Sequence, residues 1–235
     1  MKIQLFLALG ALLLSAAPIS KLTGKVSFEG ERPEKKPLAV SPAQAKGCCP
    51  DGEHVNDTDP SLLIAEDGGL ANVVVTVDVP DAKLVVPEKP FEVDQHKCTF
   101  EPHVIVVPAG SKVVFLNSDS VTHNVHTRTA KNEEINKTTA PGGKEEMLLA
   151  RGDRVQVVCD YHPWMSSWIY VSETPYSAVT KADGSFEIEG IPPGTYSATF
   201  WQEKLGKVKQ DVTIKADGTC EPVALKMSEK KKKKP

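Results

Sequence analysis

Short runs of apolar and β-branched residues recur along the chain, broken by clusters of glycine, proline, asparagine and aspartate. The pattern predicts strands over 22–28, 72–79, 103–107, 112–116, 123–127, 146–149, 154–159 and 168–171, then 185–188, 195–201, 208–214 and 222–227. No long amphipathic helix interrupts them. Strands at this spacing describe an all-β sandwich or barrel, and 235 residues suit two sandwiches better than one.

The first 17 residues differ. Lys2 precedes an apolar stretch from Ile3 to Leu14, closed by Ser15, Ala16 and Ala17, the pattern of a secretory signal. The stretch is short of the ~20 residues a bilayer needs, and no cysteine follows at once to carry a lipid. The expectation is an exported protein, periplasmic or extracellular, without an integral membrane span.

A net charge of −3 gives no case for nucleic acid. Setting aside Lys2 and the run Lys230 to Lys234 leaves 22 basic against 31 acidic side chains, a body near −9 that would favour basic partner surfaces. The lysine-rich tail, 228–235, reads as a solvated terminus, with contact to an anionic membrane or polymer as the alternative.

Five cysteines, Cys48, Cys49, Cys98, Cys159 and Cys220, are an odd number for an oxidising compartment. Residues 31–69 are rich in Pro, Gly, Asp and Glu and read as a long loop pinned by disulfides. One of the adjacent pair is expected to join Cys98 and the other Cys220, although four cysteines allow three pairings. That leaves Cys159.

Cys159 opens the most informative stretch: Cys159, Asp160, Tyr161, His162, Pro163, Trp164, Met165. A thiolate, an imidazole and a thioether follow one another in a short loop between two apolar strands, so one point in space can receive all three. Upstream, His123 opens a predicted strand after Asn117 and Asp119. Two histidines and a cysteine with a distant methionine form the trigonal site of blue copper carriers, the sulfur donors suiting Cu(I) and the imidazoles Cu(II). Zinc is a competing reading that the thioether disfavours. The bland alternative makes Cys159 and Met165 core fillers and the histidines ordinary surface residues.

Residues 91–172 resemble the cupredoxin family, and the C-x2-H-x2-M loop, with its proline and aromatic residue, resembles that of the amicyanins. The resemblance implies a Greek-key β-sandwich binding one copper through His123, Cys159, His162 and a weak axial Met165. It also implies that Asn124 ties the histidine strand to the cysteine loop. Three further histidines, His96, His103 and His126, could form an extra site, or bond neighbouring loops.

A second resemblance comes from 178–201, where Asp183-Gly184 marks a hairpin and Pro192-Pro193-Gly194 turns the chain again. This is similar to the carboxypeptidase regulatory-like, transthyretin-type sandwich, whose opening pieces match Thr23 to Val26 and Leu70 to Val75. The implied organisation is a signal (1–17), a split regulatory-like sandwich (21–83 and 173–227), a cupredoxin inserted between its halves (84–172) and the tail.

The functional expectation is an exported one-electron carrier with a mononuclear blue copper site, serving a redox partner such as a cytochrome or a dehydrogenase. The alternatives are copper storage or delivery using the extra histidines, and a non-catalytic surface-binding module. The chain is expected not to be an enzyme, since no second catalytic copper set, nucleophile elbow, phosphate loop or zinc-protease helix is evident.

Overall fold

The computed structural model describes residues 19–34, 37–49 and 57–229. The expected signal and the lysine run lie outside these residues. The first strand is β1 (Lys21–Phe28), followed by the short helix α1 (Pro42–Cys48) and β2 (Val74–Asp78). Next come β3 (Phe91–His96), β4 (Thr99–Glu101), β5 (Val104–Pro108), β6 (Ser111–Asn117), β7 (His123–Arg128) and β8 (Asn136–Thr139). They are followed by β9 (Lys144–Leu149), β10 (Asp153–Val158) and β11 (Ser166–Ser172). The chain continues through β12 (Ser177–Val179), β13 (Ser185–Glu189), β14 (Gly194–Gln202), β15 (Gly206–Ile214) and β16 (Val223–Met227).

The protein is nearly all β. The helix is missed by the strand pattern; it forms because Ser41 and Gln44 cap its first turn reciprocally and Pro42 opens it. Strands β3, β4, β8 and β12 are also additions to the expected set.

Two sheets, ordered β5-β11-β10-β7-β8 and β4-β3-β6-β9, enclose a core that includes Val93, Val113, Phe115, Val125, Val155, Val157 and Ile169. Alternation explains the packing. On β10, Val155 and Val157 face inward, and on β11, Ile169 and Val171 do, which turns Trp168 and Tyr170 to the opposite face.

The other two sheets, β13-β1-β16 and β12-β2-β14-β15, draw their strands from both ends of the described chain. They enclose a second core around Leu22, Leu70, Phe186, Phe200 and Ile214. The Asp183-Gly184 turn packs against this unit so closely that a Cβ on Gly69 would stand 2.0 Å from the Asp183 carbonyl oxygen, and Gly184 itself has φ of 79°. Strand β2 is buried on both faces: Val75 and Val77 enter the second core, while Val74 joins Val104 and Trp201 in a small junction cluster with Trp168 and Tyr170 beside it.

The junction carries polar ties as well. Glu203 accepts the indole N–H of Trp168 at 2.9 Å and a hydrogen bond from His103 Nε2, with both His103 and Glu203 side chains largely buried. Trp168 and Trp201 meet edge to face at 5.3 Å. Trp201 is therefore a packing residue and offers no exposed platform.

Candidate metal centre

His123 opens β7 and is fully buried. Cys159 follows the last residue of β10, and Met165 directly precedes β11. The loop between them closes on itself, with the Met165 N–H donating to His162 O at 2.8 Å and the Cys159 N–H to Met165 O at 3.2 Å. Because β10 and β11 are antiparallel neighbours, with Val158 opposite Ser166, the loop must turn back tightly and keep its side chains at one end of the sandwich.

There the side chains converge. His123 Nδ1 and His162 Nδ1 are 2.9 Å apart. Cys159 Sγ lies 3.9 Å from the first and 3.7 Å from the second. With metal–nitrogen and metal–sulfur bonds of about 2.0 and 2.3 Å, a nitrogen and a sulfur donor set 120° apart stand about 3.7 Å from one another, and two nitrogens about 3.5 Å. The two nitrogen–sulfur separations match that spacing, the two nitrogens stand closer, and the chemistry of the set, two imidazoles and a thiolate, fits copper. Cys159 and Met165 are both buried in the same core.

Further groups brace the centre. Asp119 Oδ2 stands 2.8 Å from His123 Nε2, which leaves Nδ1 turned to Cys159. Asn124 Oδ1 accepts the Asp160 N–H at 2.6 Å, and its amide donates to Asn136 and Asp160, so this residue spans β7 and the cysteine loop. Trp164 donates its indole N–H to Cys98 O and packs beside the His162 ring.

The electrostatics follow from these contacts. Burial lowers the pKa of His123, but the Asp119 carboxylate and Cys159 overcome it and hold the group at about 9. Burial raises the Cys159 thiol, and is outweighed by His123 and by the backbone N–H groups of Asn124, His162 and Tyr161, so the thiol lies below its ordinary value. Burial, then the charge of His123, pushes His162 down.

The extra histidines are not gathered. His103 bonds Glu203 and Ser166 O, His126 bonds the Asp160 carboxylate at 3.0 Å, and His96 accepts a hydrogen bond from Thr99 on its carbonyl. None of the three belongs to a metal-competent cluster among the described residues. Cys48 pairs with Cys98. Cys220 instead packs against the second core, its thiol donating to Glu221 O, so the second expected bridge is not formed. Sequence reasoning missed how close the disulfide comes to the centre: Cys98 Sγ is 4.0 Å from His123 Nε2.

Residues 88–179 match the family of copper-binding proteins of the plastocyanin/azurin type. The chain carries a copper-binding, cupredoxin-like domain. Residues 163–221 match domain II of polysaccharide lyase family 4, a different family from the regulatory-like sandwich expected there. No curated protein matches the chain.

Similar solved structures include a copper-containing nitrite reductase from Thermus scotoductus, 22% identical with a TM-score of 0.35, the alignment covering 42% of this chain and 25% of that one. A purple cupredoxin from Nitrosopumilus maritimus is 21% identical over 35% of this chain and 99% of its own, with a TM-score of 0.31. An amicyanin variant in its Cu(I) form is 20% identical over 42% of this chain and 98% of its own, with a TM-score of 0.33. Thus the chain spans a quarter of the reductase. The expectation of a non-enzyme is corrected here, because the match of residues 163–221 to a polysaccharide lyase domain sets this part of the chain beside an enzyme-related family.

Proposed function

We infer that the chain binds one copper ion through His123 Nδ1, Cys159 Sγ and His162 Nδ1, with Met165 as a weak axial donor, and transfers single electrons. The observation that carries this reading is the convergence of the three donor atoms, at 2.9, 3.7 and 3.9 Å from one another. Copper would supply a one-electron couple compatible with both donor types.

The protein's part is to hold the donors. Asp119 fixes the ring of His123 through Nε2, and Asn124 fixes the loop on which Cys159 and His162 sit. A packed core behind both restricts rearrangement between oxidation states. The acidic body would steer the protein toward a basic redox partner, such as a cytochrome or a dehydrogenase, in the periplasm or outside the cell. In this reading the copper domain, 84–172, is inserted in a split sandwich, 21–83 and 173–227, and the junction around Trp168, Trp201 and Glu203 limits its swing.

The test is a stopped-flow reaction of the reduced, copper-loaded chain with an oxidised basic cytochrome. The reading expects reoxidation by one electron per chain at a rate that falls as salt rises. Absence of any exchange contradicts it.

A further inference from the structure

The Cys48–Cys98 bond, whose Cα atoms are 5.5 Å apart, lies against the copper donors. Both sulfurs and a ring nitrogen of His162 fall within 4.8 Å of one another, and Cys98, Asp119 and His123 form an adjoining group of the same kind. His123 presents Nδ1 to Cys159 and Nε2 to Asp119 and Cys98. Sulfur donors therefore flank the imidazoles on two sides. One of them is masked only by its bond to another.

The two cysteines are held unequally. Lys97 and Cys98 have φ of 51° and 53°, a left-handed conformation uncommon outside glycine, at the tight turn joining β3 to β4. Asp119 stabilises the turn by accepting both backbone N–H groups, at 2.5 and 2.8 Å, and Trp164 binds the Cys98 carbonyl at 3.1 Å. None of these contacts depends on the disulfide. Cys48, by contrast, ends a seven-residue helix, and the second site requires that helix to shift so that the two sulfurs can separate around an ion.

We propose that reduction of the Cys48–Cys98 disulfide opens a second metal site, specific for Cu(I), built from these two thiolates beside His162. The reductant is a dithiol. Its thiolate attacks the Cys48 sulfur, the less deeply buried of the two, as the helix that ends on it shifts, and forms a mixed disulfide while Cys98 leaves as a thiolate. The second thiol of the reductant then displaces the first cysteine, so two electrons pass to the chain and the reductant leaves as a disulfide. Thiolates are soft donors that select Cu(I), and the burial of both cysteines keeps competing water away. The chain then binds one ion when oxidised and two when reduced. This rests on the assignment of His123, Cys159 and His162 to the first ion.

The experiment is an anaerobic Cu(I) titration of the full chain against a chromophoric chelator, before and after treatment with a phosphine reductant that is then removed. The expected result is a rise from one to two equivalents, with the β-sheet circular dichroism retained. A Cys49→Ser/Cys220→Ser variant should still rise to two, and a Cys48→Ser/Cys98→Ser variant should stay at one.

Equal stoichiometry before and after reduction overturns the proposal. So does a second ion that persists without Cys48 and Cys98, or one that binds only after the circular dichroism is lost. Failure of the first site is separately visible, as absence of an intense band with one equivalent of Cu(II) in the oxidised chain.

Discussion

Asp119 and His123 meet at 2.8 Å across four positions of sequence, both buried, at the entry to β7. The carboxylate occupies Nε2 and so leaves Nδ1 turned toward Cys159 and His162. An Asp119→Asn variant can keep a hydrogen bond but removes the charge and releases the turn at Lys97 and Cys98. Copper affinity, measured by competition with a chelator, is expected to fall about 10- to 100-fold, as for other outer-sphere partners of metal-binding histidines.

Met165 is buried beside Cys159 in the core, where a thioether tunes a copper site without generating its colour. A Met165→Leu variant should keep the intense visible band and show a higher reduction potential in protein-film voltammetry. His126, which bonds Asp160 and stands apart from the donor set, should leave the band unchanged when replaced by alanine.

Glu203 lies at the junction of the two β units, bonded to His103 and Trp168. Removing one partner of a buried pair leaves the other without compensation. Glu203→Ala is therefore expected to lower stability by about 3 kcal/mol in urea denaturation. An unchanged midpoint would show that the junction contributes nothing.

The turn after β7 is ordered by Asp153, whose carboxylate accepts N–H groups from Ala130 and Lys131 and the hydroxyl of Thr129. Burial opposes ionisation, but these bonds and the Arg154 N–H hold the carboxyl below its ordinary value. A depressed carboxyl stabilises the fold above its unfolded value of 3.8, and that contribution is lost as pH falls through the lower folded value. Amide exchange at Ala130 and Lys131 should accelerate in acid below pH 3.8, and Asp153→Asn should lose this acid dependence.

Much of the fold was legible because buried strands carry β-branched runs, as in β2, β6 and β10. Strand β8 was not: Asn136, Lys137 and Thr138 are exposed, and the strand is an edge paired only with β7. Strands β4 and β12 have three residues each, too few for a period to register. The Cys159 to Met165 loop was legible as a unit because its cysteine, histidine and methionine are local in sequence. The extra histidines misled for the opposite reason. His103 is near His96 in the chain, yet it pairs with Glu203, 100 residues away, a contact that only the packing of β5 and β11 against β14 creates.

The most direct measurement is the visible absorption and electron paramagnetic resonance of the chain with one equivalent of Cu(II), alongside a Cys159→Ser variant. An intense thiolate-to-copper band is expected, saturating at one ion per chain and abolished by the serine. A band that survives in the Cys159→Ser variant would contradict the assignment of the thiolate, and with it the centre.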